Sequence, residues 1–193
     1  MRITREKAAE NREKVVAAAA KLFRERGLEG VGIDAVATEA GLTHGAVYSH
    51  FASKDELAAA AIAHAMEFSM GEWLDLTKGL AAGPAFERLV KSYVSRVHRN
   101  APEAGCAIAA LGAGAPRAND ELRDVFCGGV AQLIEILTAV SDGKDAAERR
   151  GTAIARAAAM MGAIVMSRAA MSDPELSDEI LAVVRRRLMD AAV

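Results

Sequence analysis

Residues 41–54 read GLTHGAVYSHFASK. Gly41 suits a tight turn between two helices, because only glycine takes a positive φ without a Cβ penalty. Thr43 is a good N-cap, since its hydroxyl accepts a free backbone N–H. In the short helix that follows, about 100° per residue places Val47 and Phe51 on one buried side. Gly45, Ala46 and Ser49 fall on the other side, small and smooth, flanked by Tyr48 and His50. A helix with such a bare face fits deep in a DNA major groove, with its flanking polar groups reaching bases and phosphates. A short structural helix that contacts nothing shares this pattern, so the neighbouring sequence must decide.

Working outward, Asn11 to Arg26 carries Val15, Val16, Ala19, Ala20, Leu22 and Phe23 at amphipathic-helix spacing, and Gly27 is placed to end that helix. Residues 33–40 form a second short helix with Ile33, Val36, Ala37 and Ala40 inward. Ser53 and Glu56 open the next long helix as a capping box. Lys54 sits in its first turn, where a positive helix end and a cation together favour a phosphate. The order is three short helices and then a long one, a helix-turn-helix head delivered onto a rod.

Residues 11–57 resemble the N-terminal DNA-binding domain of the tetracycline-repressor (TetR) family. The matching pieces are the Ala18–Phe23 run, Glu25-Arg26-Gly27, Val36-Ala37, Ala40 to Thr43, Gly45 with Tyr48 and Phe51, and Ser53-Lys54 with Leu57. The resemblance implies that Tyr48 and Lys54 contact phosphates and that Gly45, Ala46, Ser49 and His50 face the groove. Thr43 and His44, at the helix start, are placed for phosphate or base contacts. Two positions depart from the family pattern. Gly32 stands where a Ser or Thr cap is usual, and Asp34 where some members place a DNA-contacting Arg. A local N-cap role is expected for Asp34.

Composition agrees with a small regulator. The chain has 193 residues, 52% hydrophobic content and only 4% aromatics, and its abundant alanine suits close-packed helices. Mean hydropathy is +0.12. No window is apolar enough for a membrane span, the first residues lack the apolar core of a secretion signal, and two cysteines fit a reducing cytoplasm. The net charge of −2 divides unevenly: residues 1–54 hold nine basic and seven acidic side chains. Arg2, Arg5, Lys7 and Arg12 form either a basic arm that follows phosphates or a solvated helix face.

The rest reads as all helix, over 54–79, 84–99, 103–112, 118–140, 145–171 and 174–191, with Asp173 and Pro174 marking the last start. The expected fold is therefore all-α. A three-helix head over 1–54 precedes a larger helical ligand-binding and dimerisation body over 55–193. The 145–171 helix is apolar almost all round, and the last helix has an apolar stripe. Ala159, Gly162, Ala163, Met166, Leu181, Val184 and Leu188 are the expected dimer contacts, as the resemblance also implies through its last two long helices. A core helix of a monomer is the alternative.

No catalytic or metal-binding spacing is found, so an enzyme, a metal and a cofactor are not expected. The body is expected to enclose a mostly apolar cavity for a small apolar ligand, lined by His64, Phe68, Trp73, Tyr93, His98, Cys106, Leu111, Phe126 and Met160. The expected function is a cytoplasmic, homodimeric repressor released from palindromic double-stranded DNA by that ligand. Two alternatives are a regulator that senses oxidants or electrophiles through Cys106, near a helix start, and a helical small-molecule-binding protein or enzyme without DNA binding.

Overall fold

The computed structural model describes residues 4–190. Arg2 of the expected basic arm lies outside them. Ten α-helices and two short 3-10 segments are found among the described residues, and no strand.

The head contains α1 (Arg5–Arg26), α2 (Ile33–Glu39) and α3 (His44–Tyr48). α1 starts six residues before the expected Asn11, because Thr4 caps it, its hydroxyl accepting from the Lys7 N–H at 3.2 Å. It ends at Gly27, whose φ of 77° and ψ of 163° belong to glycine almost alone. Gly41 takes φ 67° between α2 and α3. Val15, Leu22, Phe23, Val36, Val47 and Phe51 are all buried together, as their spacing requires. The α3 helix ends at Tyr48, so Ser49 and His50 lie on the turn after it. The Phe51 N–H still reaches the Val47 carbonyl at 3.1 Å and keeps Phe51 in the core.

Next comes α4 (Lys54–Thr77). Its cap is near the expected box: Ser53 Oγ accepts from the Glu56 N–H at 3.1 Å, and Glu56 accepts from the Ala52 N–H at 2.7 Å. With 24 residues, α4 is about 36 Å long at about 1.5 Å per residue. Its first half, from Leu57 to Met66, shares the head's hydrophobic cluster, together with Ala107, Leu111, Leu122 and Phe126 further along the chain. The cluster that starts in the head thus continues past residue 54.

The body continues with α5 (Ala82–Tyr93), α6 (Arg96–Asn100), α7 (Ala107–Leu111), α8 (Asp120–Ala139), α9 (Ala146–Ala169) and α10 (Pro174–Asp190). A second cluster joins Phe86, Leu89, Val90, Leu133, Leu137, Met160 and Ile164. Where α8 crosses α4, a Cβ on Gly129 would collide with the Met66 side chain, so glycine sets that close approach. The buried Arg156 guanidinium lies 3.8 Å from the Phe86 ring centroid and donates to Ser141 Oγ at 3.0 Å. Asp173 accepts from the Leu176 N–H at 3.1 Å and starts α10.

Two body segments differ from their sequence expectation. The 84–99 segment is two helices, because Val94 turns to ψ 69° and Ser95 becomes extended and caps α6 through the His98 N–H. The 103–112 segment is a 3-10 turn at Pro102–Ala104 followed by α7, and the expected break near Pro116 is itself a 3-10 segment, Gly112–Arg117.

A Cβ at Gly41 would meet no neighbour, so Gly41→Ala tests backbone conformation alone. It is expected to lower stability by about 1–2 kcal/mol, read as a lower urea midpoint with an unchanged slope. An unchanged midpoint would show that the turn relaxes at no cost.

Candidate nucleic-acid interface and body cleft

The outer side of the head is built on the buried pair Val47 and Phe51. Thr43, His44, Gly45, Tyr48 and Ser49 are exposed, and Ala46, His50 and Lys54 are half-buried. Thr43 Oγ1 accepts from the Ala46 N–H at 3.3 Å, and Ser49 donates to the Ala46 carbonyl at 2.7 Å. Lys54 opens α4 beside this surface, in a crevice shared with Arg26 and Arg117. Asp34 does not cap α2, whose N-cap Gly32 makes no side-chain bond. The Asp34 carboxylate instead accepts from His44 Nδ1 at 2.5 Å and ties the start of α3 to α2. A hydrophobicity pattern carries no sign of such a pair, and a sequence separation of ten residues hides it.

The basic residues of α1 are largely paired. Lys7 and Lys14 both bind Glu10, and these two ammonium groups, Lys14 foremost, hold its carboxyl down to about 2. Lys21 binds Glu39, and Arg12 lies 4.9 Å from the Phe51 ring centroid, bracing α1 against the turn that follows α3.

A cleft of about 430 Å³ opens in the body between α4, α5, α6 and the 101–106 segment. It brings together four of the expected residues: Trp73, Tyr93, His98 and Cys106. The α5–α6 break makes this possible by folding α6 back, so that the Tyr93 and His98 rings meet edge to face at 4.4 Å. Trp73 meets Tyr93 in the same way at 5.3 Å. His98 Nδ1–H donates to the Tyr93 carbonyl at 2.8 Å, and Nε2 accepts from the Cys106 N–H at 3.0 Å. These two bonds fix a neutral tautomer, and burial, with Arg168 adding to it, pulls the imidazole down to about 4. Gly105 has no room for a side chain, since a Cβ would lie 2.5 Å from the His98 ring.

The remaining expected lining residues lie elsewhere. His64 and Phe68 are exposed on α4, and Met160 is buried in the second core cluster. Leu111 faces the crevice between head and body, and Phe126 an apolar groove beside Cys127. The cleft also includes Ser69 and Glu72 of α4, Lys91 and Ser92 of α5, and Ser95 and Val97 at α6; polar residues on a helix face read as solvated surface, and only the packing of α4 against α5 and α6 brings them together.

The profile described as "Bacterial regulatory proteins, tetR family" matches residues 15–61, the head and the first turns of α4. Two Pseudomonas putida proteins, the HTH-type transcriptional regulators SrpR and TtgW, are each 34% identical over 100 residues. Each match covers 50% of this chain, with 44% of SrpR and 70% of TtgW. This chain belongs to the TetR family. TetR-family structures match along nearly the whole chain. One from Legionella pneumophila has a TM-score of 0.80 at 18% identity and covers 99% of both chains. The reduced form of NemR from E. coli has a TM-score of 0.75 at 18% identity, covering 91% of this chain and 95% of its own. At these identities the likeness is one of fold.

On the far side of this TetR-family body, α9 and α10 leave an apolar stripe uncovered: Ile154, Val165 and Met166 are 47%, 49% and 59% exposed, with Ala158, Leu176 and Val183 beside them. Of the expected dimer contacts, Met166 is on this surface, and Ala159, Gly162 and Val184 are half-buried. Ala163, Leu181 and Leu188 are corrected to the protomer's own core. On α9, Ile154, Ala158 and Val165 lie four and then seven residues apart, which at about 100° per residue puts them on one helix face.

His98 yields a pH prediction. The unfolded imidazole protonates near its ordinary 6.5, the folded one only near about 4. Between those values the unfolded state binds a proton that the folded state does not, so stability falls with falling pH, by up to about 1.4 kcal/mol per pH unit. Urea melts between pH 7.5 and 5 should show this loss in the parent and a flatter profile in His98→Gln. Equal slopes would show that His98 stays accessible to protons.

Proposed function

We propose that this chain is a homodimeric transcriptional repressor that binds palindromic duplex DNA through Thr43 to Lys54 and is released by a small ligand held in the body cleft. The observation that carries this reading is the outward set of Thr43, Tyr48 and Ser49 over the buried Val47 and Phe51, with the capped N-terminus of α4 and Lys54 beside it. Small residues at the groove-facing positions let the backbone approach the bases, and the Tyr48 hydroxyl and the Lys54 ammonium supply phosphate contacts. No described helix is long and apolar enough to cross a membrane, which agrees with work in the cytoplasm.

Two features support ligand control. α4 runs unbroken from the head to the cleft, so a displacement of Trp73 would be carried towards Lys54. Arg24 of α1 donates to the Gly105 carbonyl at 2.9 Å, one residue from Cys106 in the cleft wall. The dimer is supported by the uncovered apolar stripe of α9 and α10, since contiguous exposed apolar residues mark interaction surfaces. Two heads so joined would serve half-sites about 34–36 Å apart.

DNA binding is tested with a duplex that the parent selects from a random-sequence pool. Lys54→Ala is expected to weaken this duplex and random DNA alike and to reduce the salt slope by about one. Ser49→Ala should mainly change sequence preference. If Tyr48→Ala and Lys54→Ala both bind like the parent, the interface lies elsewhere.

Assembly is tested by Val165→Glu, which places a charge on an exposed helical position and so spares the protomer core. Sedimentation should give a dimer for the parent and a folded monomer for the variant. A parent that sediments as a monomer at micromolar concentration would remove the dimer from this reading.

A further inference from the structure

Resting on the reading of α3 as the helix that enters the major groove, we propose that His44 reads the exocyclic amino group of an adenine or a cytosine, with Asp34 as the positioning residue that sets it for this task. His44 Nδ1 and Asp34 Oδ1 lie 2.5 Å apart, joining α3 to α2 across ten residues of sequence. Asp34 stands in the first turn of α2 without capping it, and among the described residues its carboxylate holds no other hydrogen bond. An ionised carboxylate only accepts, so the proton of this bond lies on Nδ1. A neutral imidazole has one N–H, and this bond uses it. Nε2 is thereby left as an acceptor, with no partner among the described residues, on a side chain that is 54% exposed. The ring also lies against Tyr48, centroids 5.1 Å apart and planes 43° apart, so it is held from two sides.

The chemistry of a duplex decides what such an acceptor can meet. Phosphate oxygens only accept, so Nε2 has no bond to make with the backbone. In the major groove, adenine and guanine N7, guanine O6 and thymine O4 accept as well. The donors there are the amino groups on adenine C6 and cytosine C4. His44 is the first residue of α3, directly after the Thr43 cap, and the first residues of a recognition helix are those that contact base edges. Thr43 does not compete for this part, because its hydroxyl is engaged with the Ala46 N–H. Without the carboxylate, the ring could carry its proton on Nε2 and donate to any phosphate or purine N7. Asp34 thus turns a donor that ignores sequence into an acceptor that reads it.

Both side chains are exposed, so substitutions here spare the core, and a pair of this kind contributes little to stability. The full chain is assayed on the duplex that it selects from a random-sequence pool. Each adenine of a half-site is replaced in turn by purine, and each cytosine by pyrimidin-2-one, which removes the amino group alone. At one position the parent is expected to lose about tenfold in affinity, as one hydrogen bond allows. His44→Ala should bind the natural and the substituted duplex equally at that position and keep its sensitivity elsewhere. Asp34→Ala should lose the same discrimination. Asp34→Asn, whose amide oxygen accepts the same Nδ1–H bond, should retain it. A selected duplex with no amino group that His44 distinguishes, discrimination that survives in Asp34→Ala or is absent in Asp34→Asn, or a His44-dependent loss with 7-deazaguanine would each overturn the proposal while DNA binding stands. A chain that selects no duplex overturns the DNA reading itself, and this proposal with it.

Discussion

The structure depends on α4 being buried along both halves by different partners. Its first half packs in the head's cluster through Leu57, Ala61 and Ile62. Met66 meets α8 at Gly129, and Trp73 packs against the second cluster around Phe86 and Leu89. An isolated helix of this length is marginal in water, so tertiary burial rather than propensity holds it. Alanine at positions 58, 59, 61 and 65 lets its neighbours approach closely. Head and body are thereby parts of one packed object, and neither can move without disturbing a core.

The second junction is polar. The 101–106 segment packs on α1, where the Gly105 carbonyl accepts from Arg24, and against α6, where the Cys106 N–H is held by His98. Arg168 of α9 adds bonds to the His98 and Arg99 carbonyls. Arg99 in turn reaches Ser177 and Asp178 of α10. The segment beside the cleft is thus connected both to the head and to the helices with the uncovered apolar stripe. Guanidinium groups suit this role because one side chain can hold several carbonyls in a fixed fork.

Part of this was legible along the chain. Gly41, the Ser53–Glu56 cap and the Asp173-Pro174 start depend on neighbours within a few residues, and each is found in its expected place. The 84–99 segment was not legible as two helices. Its apolar spacing continues through Val94 and Val97, and only the packing of Tyr93 against Trp73 and His98 shows what the break achieves. Asp34 was read as a local cap, yet its partner is His44 on the next helix.

The sequence by itself determined the all-α class, the helix-turn-helix head, the buried pair Val47 and Phe51, and the exposed set around Tyr48. Those features follow from helical periodicity and caps, which act over one or two turns. The tertiary structure alone decided which aromatic and polar side chains meet. It placed Trp73, Tyr93, His98 and Cys106 in one cleft, sent His64 and Phe68 to the surface and buried Met160. It also turned Ala163, Leu181 and Leu188 inward and Val165 and Met166 outward. The reason is that a helix with apolar residues on several faces has no preferred inward side of its own. Its neighbours choose that side, and they are brought together by residues tens of positions apart.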